Sequence, residues 1–121
     1  MKNLHKVRSW PLSRWPDIDH QLWIDACAGL GAYGDQNPAF FWSPSWRRTI
    51  EHAYGRYVAW QALTPHDFNV PPADRLGPDA VTAFIEHLEM QGLAGASIAA
   101  YVRSIRAFAG AIAPDYDWQW L

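Results

Sequence analysis

The sequence predicts an all-α fold, and three observations carry that prediction. Apolar residues recur at helical spacing in four stretches, prolines mark the starts of those stretches and the gaps between them, and no segment shows the two-residue alternation of a strand over a useful length. The expected architecture is a compact bundle of four helices with an N-terminal arm.

Residues 1 to 15 have no helical or strand period and contain Pro11, so they read as the arm. Pro16 and Asp17 open the first helix, because a proline in the first turn loses only an N–H that would be unpaired there anyway. That helix reaches about Leu30, where glycines at 29, 31 and 34 end it. Asp35 to Trp42 reads as a loop. Ser43 is a good N-cap and Pro44 a good first residue for the second helix, which runs to about Leu63. Thr64 to Gly77 holds Pro65, Pro71 and Pro72 and reads as a loop crossing the domain. Pro78 and Asp79 open the third helix and Gly92 closes it. The fourth starts near Ala96 or Ser97 and stops before Pro114.

At 121 residues the chain is one domain by size, large enough to bury a core without staples. Half its residues are apolar and eight are tryptophan, which excludes a disordered chain. Cys27 is the single cysteine, so no internal disulfide is expected, and the setting that fits is a reducing cytoplasm with Cys27 as a small core residue. No apolar run approaches the roughly 18 residues that span a bilayer. The N-terminus is basic without an apolar segment, so no signal peptide is expected.

Net charge is -2, which by itself points to no partner, so its distribution decides. The arm is basic through Lys2, Lys6, Arg8 and Arg14, whereas the first helix is acidic through Asp17, Asp19 and Asp25. The second carries Arg47, Arg48 and Arg56 against Glu51; the fourth carries Arg103 and Arg106 and no acid; the third carries Asp79, Glu86 and Glu89. Helical phase places Trp46, Ile50, Ala53, Tyr57 and Trp60 on the core stripe of the second helix. Arg48, His52, Gly55 and Ala59 lie opposite, flanked by Arg47 and Arg56. On the fourth helix Ile98, Tyr101, Val102, Ile105, Phe108, Ala109 and Ile112 face the core, with Ala99, Arg103, Arg106 and Gly110 outside. The third buries Val81, Phe84, Ile85 and Leu88 and turns Glu86 and Glu89 outward. Arginines beside small residues are what a surface meeting a polyanion needs, although solvated single-sign faces are also common on small helical domains.

Three stretches, "WSPSWRRTIEHAYGRYVAW", "PADRLGPDAVTAFIEHLE" and "GASIAAYVRSIRAFAGAIAP" followed by "DWQWL", together resemble the N-terminal core-binding domain of tyrosine recombinases, the phage-integrase family. The resemblance runs from about Trp15 to the C-terminus and rests on the order and spacing of all three. It implies a SAM-like four-helix bundle over residues 16–121, behind the basic arm of residues 1–15, that clamps duplex DNA with its second and fourth helices. The residues it implies at DNA are Arg47, Arg48, Thr49 and His52, and Ser97, Arg103 and Arg106, with Arg56 flanking the same face. Ala100 departs from relatives that are basic there, so a weaker grip is expected. The family's chemistry sits in a following catalytic domain, expected to be absent from this chain. The implied role is therefore DNA binding in recombination and integration, without catalysis by this chain alone. Partners would be double-stranded DNA and other recombinase protomers, with no membrane, no cofactor and no metal. The rival is a protein-interaction module, including a truncated integrase that modulates a full-length recombinase.

Other features read as structural. "HKVR" at 5 to 8 has the HxxR spacing of the family's catalytic box but lies in the arm with no catalytic arginine before it. Tyr116 lies in the exit segment and is no nucleophile, and Asp115 and Asp117 solvate that segment. The histidines at 5, 20, 52, 66 and 87 and Cys27 lack metal-ligand spacing, and no glycine-rich phosphate loop exists. His52 fits either a phosphate contact or a plain surface position. The tryptophans at 10, 15, 42, 46, 118 and 120 are expected to seal the ends of the core, with Trp118 and Trp120 folding the exit back. Gly55, costly inside a helix, implies close approach of DNA or of a neighbouring helix.

Overall fold

The computed structural model describes residues 7–31 and 34–121, and among them it is all-α with no strand. Five helices follow in order: α1 (Asp17–Ala28), α2 (Pro44–Gln61), the single turn α3 (Pro72–Arg75), α4 (Pro78–Met90) and α5 (Gly95–Ile112). The first, second, third and fourth helices of the sequence reading are α1, α2, α4 and α5. The additional turn α3 falls in the stretch read as a loop. The other stretch read as a loop, Asp35 to Trp42, holds the 3-10 turn Pro38–Phe41, capped by Asn37, whose side chain accepts from Ala39 N, and most of a second at Gly34–Gln36.

The helix ends follow their local chemistry. Ser43 Oγ accepts from Trp46 N at 3.1 Å, with Pro44 as the first residue of α2. Gly29 and Gly92 adopt left-handed φ of 74° and 84° after α1 and α4. The next residue then bonds back, Leu30 N to Asp25 O at 2.8 Å and Leu93 N to Leu88 O at 3.2 Å. The start of α5 lies one or two residues before the expected position and has no side-chain cap.

α2 and α5 form the centre of the bundle and run antiparallel: His52 and Arg56 of α2 meet Tyr101 early in α5, while Tyr54 stacks on Phe108 at 3.7 Å and Trp42, just before α2, lies by Gly110 and Ala111. Trp15 packs edge-on to Tyr54 and Phe108 at 5.1 and 5.7 Å, and Trp23 of α1 meets Phe108 at 5.6 Å. α4 joins through Phe84, 5.1 Å from Tyr57 and 5.4 Å from Trp60. Val81, Phe84 and Leu88 are buried as expected and Ile85 is half-buried; on α5 Ile98, Ile105, Phe108 and Ala109 are buried, and Tyr101, Val102 and Ile112 only partly.

The core stripe of α2 differs from the one read from helical phase. Trp46 and Trp60 are only partly buried, Tyr54 and Gln61 are fully buried, and every residue from Ala53 to Ala59 is buried. The cause is the arm. Trp10 N donates to Gly55 O at 3.1 Å and Ser9 Oγ to His52 O at 2.8 Å, so the arm lies across the side of α2 expected to face outward. A Cβ at Gly55 would strike the carbonyl of Trp10. Gly55 thus admits the chain's own arm rather than DNA or a neighbouring helix. At the other end Trp118 is buried and donates to Ala113 O at 2.8 Å, whereas Trp120 stays 42% exposed, so only the first of this pair folds the exit back.

A polar network is buried beneath these helices. Asp19 of α1 pairs with Arg75 of α3 and accepts from Tyr54 OH at 2.6 Å. Arg75 O accepts from Tyr57 OH at 2.5 Å and Gln61 Nε2 at 3.1 Å. Burial, and then the Asp19 charge, pushes the Tyr54 hydroxyl well above its ordinary pKa, so it donates at all ordinary pH. His87 of α4 lies 6.3 Å from the Trp60 ring, and burial, followed by the Arg56 charge, lowers its pKa. The unfolded chain then takes up this proton first, so the contribution is present above about pH 6.5 and lost as pH falls below it. The melting temperature is expected to fall from pH 7 to pH 5, with a shallower fall in His87→Gln; equal slopes would exclude His87 as the cause.

Candidate nucleic-acid interface

Antiparallel packing of α2 on α5 leaves a groove of about 230 Å³ between them. Thr49, His52 and Ala53 line one wall and Ser97, Ala100, Tyr101 and Ser104 the other. Its floor is small because alanine and serine stand where the helices approach. The groove therefore brings together three of the residues expected at DNA: Thr49, His52 and Ser97. Tyr101 crosses it, with its hydroxyl 3.2 Å from His52 Nε2 and accepting from Arg56 Nη1 at 3.0 Å. The Thr49 hydroxyl already donates to Ser45 O at 3.1 Å.

Arg103 and Arg106 line a second depression on α5, of about 330 Å³, with Trp42, Pro38 and Gly110. Both are exposed, and so is Arg48 on α2. Arg103 follows Ala100 by three residues and precedes Ser104, so the groove and the second depression adjoin on one side of α5. The one acid of the two helices, Glu51, has its Oε2 held by Trp23 Nε1 at 2.8 Å. On α4, His87 points toward Trp60, and Glu89, two residues on, projects from the opposite side of the helix. Glu86 and Glu89 are exposed.

Two expected residues are held elsewhere. Arg47 is half-buried, and its Nη2 donates to Ala39 O, Phe40 O and Cys27 O at 2.8, 3.0 and 3.1 Å, with Nε also on Ala39 O. It clamps the Pro38–Phe41 turn to α1 and α2, and little of its donor capacity is left for a ligand. Arg56 is 8% exposed and lies beneath the arm rather than on an open face. Helical phase could not separate these two from Arg48, because what covers them is the aperiodic arm and a loop.

The sequence reading also missed Asp19 and Arg75. A signal existed: Asp19, Trp23 and Ala26 stand at i, i+4 and i+7, an acid on the apolar stripe of α1. Tyr116 is exposed and donates to Asp74 at 3.0 Å; that bond, and then the Asp74 charge, raises its pKa, the opposite of activation. Burial likewise raises the Cys27 thiol in spite of Arg47. Among the described residues no group of three or more His, Cys, Asp or Glu could hold a metal, and no helix is long and apolar enough to cross a membrane. His5 and Lys6 of "HKVR", and Lys2, lie outside the described residues.

No protein-family model matches the chain, and neither does any curated protein or solved structure.

Proposed function

We propose that the chain is a duplex-DNA-binding module of the tyrosine-recombinase core-binding kind, which grips DNA along α2 and α5 and does not cut it unaided. The observation that carries this reading is the surface shared by those helices. Arg48, Arg103 and Arg106 are exposed, small residues floor the groove beside them, and the only acid of the two helices is turned to Trp23. A duplex presents a phosphate charge about every 1.7 Å of axis, so such a surface attracts it while the exposed carboxylates of α4 repel it. The test is duplex binding by fluorescence anisotropy between about 50 and 200 mM salt. Three arginine–phosphate contacts give an expected slope of log affinity against log salt near about -3. Affinity independent of salt would exclude the reading.

A protein-interaction module is the second reading, favoured by one apolar feature. Leu30 and Phe41 are 74% and 75% exposed, and Phe40, in ring contact with Phe41 at 5.1 Å, is 40% exposed. An apolar surface of this kind suits a protein partner better than a phosphate backbone.

A further inference from the structure

A recess of about 730 Å³ opens between the arm and α2, with Arg8, Ser9 and Trp10 on one side and Glu51, His52 and Arg56 on the other. Arg56 is 8% exposed, and no ion pair among the described residues joins it to a carboxylate as Arg75 is joined to Asp19. No acid lies at positions 1–6 or 32–33, so nothing outside the described residues supplies one. Of its guanidinium, Nη1 donates to Tyr101 OH at 3.0 Å and Nε is buried without a partner, where Arg56 lines the recess. A buried cation with unused donors is costly unless an anion meets it.

The surroundings carry a second arginine against one carboxylate. Arg8 is exposed on the opposite wall, and His52 lines the recess with it. Glu51 reaches the rim with its Oε2 drawn toward Trp23 Nε1, and its charge offsets one of the two arginines. Ser9 Oγ is committed to His52 O. What remains unsatisfied is part of a buried guanidinium, a cation whose natural counterpart is a tetrahedral oxyanion.

We propose that this recess binds a phosphate group, seated on Arg56 and closed over by Arg8 and His52. The proposal shares His52 with the α2–α5 groove but involves neither Arg103 nor Arg106, so variants of those two test the DNA reading without touching this site. The phosphate can belong to a nucleic-acid backbone, because His52 lines both the recess and the α2–α5 groove, or to a small phosphorylated molecule.

The experiment is calorimetric titration of the whole chain with inorganic phosphate, against sodium chloride at equal ionic strength. Saturable binding is expected with phosphate alone. Arg56→Gln should abolish it, and Arg8→Ala, on an exposed side chain that leaves the fold intact, should weaken it by at least roughly tenfold. Displacement of phosphate by a short duplex with 5′-hydroxyl ends assigns the site to backbone phosphate. Displacement by glycerol 3-phosphate but not by the duplex assigns it to a small phosphorylated molecule. Heat and saturation equal to those of chloride, or undiminished phosphate binding by Arg8→Ala, would overturn the proposal.

Discussion

Asp19→Ala is expected to destabilise the fold by about 3–5 kcal/mol, the range for removing one partner of a buried ion pair. Asp19 is fully buried, and its two oxygens are divided between Arg75 and Tyr54. Alanine would leave the Arg75 charge and the Tyr54 hydroxyl without their acceptor in a region that water does not reach. A domain of this size has only about 5–15 kcal/mol to lose, so the melting temperature should fall by about 10–20 °C. Arg75→Met combined with Asp19→Leu should cost less than the two single changes together, because the orphaned charge is gone. Chemical denaturation measures all of these. A loss below about 1 kcal/mol for Asp19→Ala would mean that the pair contributes no more than an exposed one.

The double variant Arg103→Glu/Arg106→Glu is expected to weaken duplex binding about a hundredfold at about 0.1 M salt, since each phosphate contact accounts for nearly a factor of ten there. Both side chains are exposed, so the melting temperature should hardly move. Arg48→Glu should cost about tenfold on the same grounds. Glu89→Lys, on the acidic helix, should leave affinity equal or slightly raised. Unchanged binding by the double variant would remove α5 from any DNA surface, and the exposed Leu30, Phe40 and Phe41 would become the site to test.

The parts of this molecule that were legible in its sequence are those decided within a few residues. Ser43 with Pro44 set the start of α2, Gly92 set the stop of α4, and the stripes of α4 and α5 repeat along one element. The parts that were not legible depend on partners far away in the chain. The arm has no period, so nothing local announced that Trp10 would bond Gly55 and cover that side of α2. Arg47 and Arg48 are neighbours of identical type, yet one grips two carbonyls of a loop and one of α1 while the other faces solvent. Arg75 reads as a loop residue until Asp19, 56 positions earlier, is placed beside it. The candidate surface was half legible for the same reason: Arg48, Thr49, His52, Ser97, Arg103 and Arg106 follow from phase and resemblance, whereas the fates of Arg47 and Arg56 follow from tertiary packing.

Asn37 is buried with its amide nitrogen on Ala111 O at 2.7 Å, in the last turn of α5, and its oxygen on Ala39 N. Arg47 grips the turn that begins after Asn37, holding Ala39 O and Phe40 O from α2. One short segment therefore fastens α2 to α5, and the arginines on both helices ride on a single rigid frame. A ligand meeting them finds the relative placement already settled by folding. Beyond the translational and rotational freedom that any association loses, the conformational entropy left to lose is mainly that of the exposed arginine side chains, about 0.5–1.5 kcal/mol for each one immobilised, with little spent on aligning the helices.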